Sequence, residues 1–219
     1  MDVRIAVVES MPFAENTYVV WRPDRADAVV IDPGFEPDAV LDVLRENGLT
    51  AAVILNTHGH VDHIAGNEAL KAAFPAAPLV IGGGDAAMLT DPMLNLSGLA
   101  GAAVTSPPAD RTVREGDVVE AAGLRLEVLD IPGHSPGHVA FVVRDRPQVV
   151  VFGGDVLFAG SIGRTDFPGG DLELLLGGIR AKLWPLPDDT AVYPGHGPVT
   201  TVGEERRTNP FLTGGVPSG

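Results

Sequence analysis

Apolar positions change their period along this chain, and the changes mark out its elements. Residues 3–8, 17–21 and 28–32 are short runs rich in β-branched and aromatic side chains, set apart by turn residues such as Pro12, Asn16, Pro23 and Asp24, and they read as strands. Over residues 36–47 the apolar positions Val40, Leu41, Val43 and Leu44 recur on one helical face, which Gly48 closes. Residues 51–55 are continuously apolar, the pattern of a strand covered on both sides. A helix from about residue 64 to 74 follows, then a buried strand over 78–81 and a short helical stretch near 85–89.

Residues 91–110 carry no period and are rich in Gly, Pro and Ala. They read either as a long surface loop beside a substrate mouth or as a poorly structured insertion. Strand patterns return at 118–120, 124–129, 139–143 and 149–152, a helix is expected over 172–183, and a last strand over 190–193. No linker divides these strands and helices, so one domain of the α/β class is expected over residues 1–203, with residues 204–219 as a C-terminal tail.

Composition narrows the class of protein. The 219 residues are 45% hydrophobic and 20% charged, which suits a folded domain with a sizeable core. The net charge is −14 and the only lysines are Lys71 and Lys182, so a nucleic-acid backbone or an anionic membrane surface is a poor partner. There is no cysteine, and hence no disulfide, thiolate ligand or thiol nucleophile. The start of the chain lacks a signal-peptide pattern and no apolar run reaches membrane-spanning length, so a soluble, cytoplasmic protein is expected.

The histidines carry the chemistry. All six sit in Gly- or Pro-flanked motifs: His58, His60 and His63 in Thr57-His58-Gly59-His60-Val61-Asp62-His63, His134 and His138 in Pro132-Gly133-His134-Ser135-Pro136-Gly137-His138, and His196 in Pro194-Gly195-His196-Gly197. Each group follows an expected strand, as does Asp155 in Gly153-Gly154-Asp155, and loops at strand C-termini are where α/β folds collect ligands. Imidazoles together with carboxylates suit divalent zinc, iron or manganese.

These motifs resemble the metallo-β-lactamase superfamily, from Asp32-Pro33-Gly34 through Thr208-Asn209-Pro210-Phe211. The Gly163-Arg164-Thr165-Asp166-Phe167 loop makes the chain most similar to the small bacterial glyoxalase II-like hydrolases. The resemblance implies a four-layer αββα sandwich with two divalent metal ions at one edge, zinc first, with iron or manganese as alternatives. It further implies that His58, His60 and His134 hold one ion, that Asp62, His63 and His196 hold the other, and that Asp155 bridges them. A hydroxide shared by the metals would then attack a thioester of the hydroxyacylglutathione type, with Asp62 and Asp155 as the catalytic carboxylates.

His138, Asp32 and Thr57 are expected to orient ligands rather than bind metal. Arg164 is open to two readings, as a partner of a substrate carboxylate or of Asp166, while Tyr193 and Phe158 are expected in the core. Only 23 residues follow His196, so the C-terminal basic region with which longer glyoxalase II enzymes clamp glutathione is missing. A mononuclear iron persulfide dioxygenase and a lactonase or other ester hydrolase are alternatives on the same ligand set. β-Lactam hydrolysis is a weaker reading, with neither a cysteine ligand nor a lysine placed for a lactam carboxylate.

Overall fold

The apolar run at residues 51–55 is uninterrupted because the strand that contains it is covered on both faces. This strand, β4 (Thr50–Asn56), directs Val53 and Leu55 into one buried cluster and Ala51 and Ile54 into another. In the computed structural model, which describes residues 3–145 and 148–214, β4 lies inside a six-stranded sheet. Its neighbours, in order, are β1 (Arg4–Ser10), β2 (Glu15–Trp21) and β3 (Asp27–Ile31) on one side and β5 (Leu79–Gly82) and β6 (Arg111–Val113) on the other. Pairing is parallel from β3 through β6 and antiparallel at β1 and β2.

The second sheet also has six strands. Its order is β14 (Thr200–Thr201), β13 (Ala191–Pro194), β10 (Gln148–Gly154), β9 (Val139–Asp145), β8 (Leu124–Asp130) and β7 (Val118–Ala121), and only β10 and β13 run parallel. A small hairpin of β11 (Leu157–Phe158) and β12 (Ser161–Ile162) follows β10. Alternation sorts the side chains of β9: Phe141 and Val143 meet β2 and β4 residues between the sheets, whereas Ala140 and Val142 face outward.

Helices close both outer faces. On the first sheet lie α1 (Pro37–Glu46) and α3 (Asn67–Ala73), burying Val40, Leu44 and Leu70. On the second lies α4 (Leu172–Gly178), continued as a π-helical turn over Ile179–Leu183, together with α5 (Val202–Thr208). The result is the four-layer αββα sandwich of the α/β class. Among the described residues no helix is long and apolar enough to cross a membrane.

The structure decides three sequence expectations. The helix expected from residue 64 to 74 is split into α2 (Val61–Ile64) and α3, because Gly66 turns in against Pro33, its N–H donating to the Pro33 carbonyl at 2.8 Å. Of the two readings of residues 91–110, the ordered loop is the one observed. Buried Asn95 ties it down: its side-chain NH2 donates to the carbonyls of Met88 (3.1 Å) and Val104 (2.9 Å), and its main-chain carbonyl accepts from Val61 N–H (3.0 Å).

The expected tail is the third. Residues 202–208 form α5, and Glu205 and Asn209 are buried, with Glu205 accepting hydrogen bonds from Thr200 (2.5 Å), Gly160 N–H (2.9 Å) and Asn209 (2.8 Å). The start of residues 204–219 is thus pinned to the hairpin of β11 and β12, and residues 215–219 lie outside the described residues.

Candidate metal centre

Four strand ends deliver the histidine and aspartate motifs to one edge of the sandwich. β4 leads into Thr57–His63, β8 into His134, β10 into Asp155 and β13 into His196. Three groups form there whose candidate ligand atoms lie within 4.8 Å of one another: His58, His60 and His134; Asp62, His63 and His196; and, linking these two, His58, His63 and Asp155. Asp155 stands between the first two, its carboxylate 3.5 Å from His134 Nε2, 3.4 Å from His63 Nε2 and 3.6 Å from His196 Nε2. The seven residues that the sequence motifs singled out therefore meet in space.

Hydrogen bonds on the far side of each ring fix which nitrogen faces the centre. His134 Nδ1 donates to the Arg164 carbonyl (2.8 Å), and His196 Nδ1 donates to the Phe13 carbonyl (3.1 Å). His63 Nδ1 donates to Asp32 (3.0 Å). Thr57 Oγ1 gives its proton to Asp32 (2.7 Å), which leaves the hydroxyl to accept from His58 Nδ1 (3.2 Å). His134 and His58 consequently turn bare Nε2 lone pairs inward, while His63 and His196 point Nε2 at the Asp62 and Asp155 carboxylates.

Neither His58 nor His134 brings a proton to that point. His58 Nε2, His60 Nδ1 and His134 Nε2 are mutually 2.9–3.2 Å apart, and buried His63 Nε2 and Asp155 Oδ1 have no hydrogen-bond partner. Buried acceptors facing one another are costly unless a cation lies between them. Tetrahedral zinc with Zn–N bonds of about 2.05 Å would set its nitrogens about 3.4 Å apart, close to what is found. The donor set fits a divalent metal, and the cluster as a whole can bind a dinuclear one.

Titration behaviour divides the rings into two sets. Burial, reinforced by the neighbouring His134, pushes His60 down to about 3, and burial likewise lowers His58 and His138, so these rings stay neutral. Burial would also lower His63, but Asp62, Asp155 and Asp32 outweigh it and raise its pKa. Burial works against ionisation of Asp155, yet His63, His134 and His196 hold its carboxyl far below the usual range.

The orienting residues fall where expected. Asp32 takes three hydrogen bonds, from Thr57 N–H (2.7 Å), Thr57 Oγ1 and His63 Nδ1, and does so in a left-handed backbone conformation (φ 50°) that aspartate tolerates better than most residues. His138 is turned away from the centre, accepting from Asp155 N–H at 3.0 Å while its ring stacks on His58. At Gly154 (φ 49°) and Gly195 the backbone comes so close that a Cβ would collide with Thr57 Oγ1 and Asp155 Oδ1, respectively.

Sequence reasoning missed three participants. Glu15 is fully buried 3.9 Å from His63 Nδ1, and Asn16 beside it grips the Pro194 (3.1 Å) and Gly197 (2.9 Å) carbonyls around His196. Asp85 accepts from Gly59 N–H, Ser135 Oγ and Gly137 N–H, joining the two main histidine loops. Each lies in a strand or short helical stretch with nothing in its spacing to betray the role. Phe158, expected in the core, instead lines the cavity in front of the centre, while Tyr193 does pack against the inter-sheet core.

That cavity has a volume of about 640 Å³, and Asp62, Asp155, His60, His134 and His196 form its floor. A family model described as the metallo-β-lactamase superfamily matches residues 11–196. The chain belongs to that superfamily. A hydroxyacylglutathione hydrolase (GloC) of Haemophilus influenzae is 38% identical to it over 213 residues, which are 96% of this chain and 98% of the relative. The crystal structure of the BLEG-1 B3 metallo-β-lactamase matches with a TM-score of 0.91 at 40% identity, covering 96% of this chain and all of that one. TTHA1623, solved in a di-iron-bound form, matches with a TM-score of 0.80 at 39% identity over 94% of this chain and all of that one. As a member of this superfamily, the chain is a metal-dependent hydrolase.

Proposed function

We propose that the chain hydrolyses thioesters, with two zinc ions as the first choice of metal. One is held by His58, His60 and His134 and the other by Asp62, His63 and His196, with Asp155 between them. The observation that carries the reading is the place of Asp155, within 3.6 Å of a ring nitrogen from each group and at the floor of the cavity. When bound, such a pair supplies water acidified towards a pKa of about 7 and the Lewis acidity that polarises a carbonyl. Asp62 and Asp155 bring two negative charges against four positive ones, so the residues leave the centre electrophilic.

The rest of the cavity favours a thioester over an amide. Asp62 and Asp155 are its only lining carboxyls, and their low pKa values leave neither as a proton donor for a leaving nitrogen. A thiolate departs without a proton. The Haemophilus relative named as a hydroxyacylglutathione hydrolase supports the same class of bond. Zinc-loaded protein is expected to release thiol from a panel of acyl thioesters faster than it opens a β-lactam or a lactone. A two-metal preparation that cleaves no thioester refutes the proposal.

A further inference from the structure

The walls of the cavity above the metal centre are apolar, formed chiefly by Phe13, Leu96, Leu99, Phe158, Ile162 and Phe167. Arg164 is the one lysine or arginine among the lining residues, and it is not free. Its guanidinium makes two parallel hydrogen bonds to the Asp166 carboxylate, both 2.7 Å, and lies 3.9 Å over the Phe167 ring. The bidentate pair occupies the Nε–Nη2 edge, one of the two edges with which an arginine can grip a carboxylate, and balances its charge. Stacking on Phe167 presses the same group flat against the wall.

We infer that Asp166 latches Arg164, and that the cavity thereby selects thioesters whose organic arm is uncharged and largely apolar. The inference rests on the thioester reading and adds the substrate class. With the cation neutralised in place, an anionic arm reaching away from the metal centre would meet apolar walls with no unpaired positive charge on them. The chain's net charge of −14 would also slow the approach of an anion. Asp166 acts at the mouth, with its side chain 67% exposed, so replacing it leaves the core untouched. The latch loop is also part of the metal scaffold, because the Arg164 carbonyl holds His134. Side-chain substitutions at 164 and 166 keep that carbonyl.

The test compares the S-hexanoyl and S-glutaryl thioesters of N-acetylcysteamine, which share the thiol and differ in a terminal carboxylate on the acyl arm. The native protein is expected to show kcat/KM at least about tenfold higher for hexanoyl. D166N, which frees Arg164, should shift the ratio towards glutaryl by about fivefold, the scale of an exposed ion pair, and adding R164M should abolish the gain. A native preference for glutaryl, or a ratio unmoved in D166N, overturns the inference. The corresponding S-hexyl and S-(4-carboxybutyl) thioethers cannot be hydrolysed, and calorimetry with metal-free and metal-loaded protein should rank them in the same order. Absence of all thioester cleavage would therefore sink the hydrolase reading alone, while the thioether ranking still decides the inference.

Discussion

Replacing Asp32 by asparagine isolates what this carboxylate does, because asparagine has nearly the same shape and also tolerates the left-handed backbone at this position. Both carboxylate oxygens face donors: Oδ1 takes Thr57 N–H, and Oδ2 takes Thr57 Oγ1 and His63 Nδ1. An amide NH2 must oppose one set or the other. Turned towards Thr57 N–H, it leaves two buried donors in collision. Turned the other way, it forces His63 to move its proton from Nδ1 to Nε2, the nitrogen that faces Asp62 and Asp155.

A buried hydrogen bond to a charged group contributes about 1.5–3 kcal/mol, so one or two lost bonds should cost about 2–5 kcal/mol. Loss of an orienting partner should weaken the metal group containing His63 by about 10–100-fold. Titration of metal into stripped D32N, followed by calorimetry or by competition with a chromophoric chelator, should show one site close to native and one weakened. Two sites with unchanged affinities and an unchanged melting temperature would refute the hydrogen-bond reasoning.

Asp155→Ala removes the carboxylate lying between the two groups, and metal analysis should find no more than one ion per chain, with thioesterase activity down at least about a hundredfold; full activity would remove the shared role. Gly195→Ala places a methyl group against Asp155 Oδ1 and 2.6 Å from His63 Cε1, so overpacking of about 1–3 kcal/mol should lower the melting temperature by about 2–4 °C per kcal/mol and reduce metal content with it. In stripped protein, His63 is held protonated by Asp62, Asp155 and Asp32. Its raised pKa contributes stability that is complete below its ordinary pKa of about 6.5 and is lost as pH rises through the raised value. Melting of chelated protein at pH 6 and pH 9 should show that loss, and metal-loaded protein, in which His63 Nε2 carries no proton, should not.

How much of this was legible in the sequence follows from where each residue sits. The β4, β10 and β13 runs were readable because burial leaves a near-unbroken apolar signal, and at β10 and β13 Gly or Pro then marks the point at which the strand hands over to a ligand. His58 to His63 stood out by spacing alone. Glu15 and Asn16 did not, because in β2 they look like ordinary polar residues at a strand start, and their roles arise only when the β13 loop is laid beside them. Asp85 was hidden for the same reason, its three partners being 26 to 52 residues away in the chain. Phe158 was misassigned because an aromatic residue after a strand carries no mark of facing a cavity. The start of the supposed tail was misjudged because Glu205 is charged, and only the donors gathered around it make its burial tolerable.

The central claim is that seven side chains hold two cations side by side, and anomalous diffraction from crystals of metal-loaded protein at the metal edge tests it most directly. Two peaks are expected, one bounded by His58 Nε2, His60 Nδ1 and His134 Nε2, the other by Asp62, His63 Nε2 and His196 Nε2, with Asp155 in contact with both. A single peak with Asp62 and His196 turned away, or peaks elsewhere on the molecule, would contradict it.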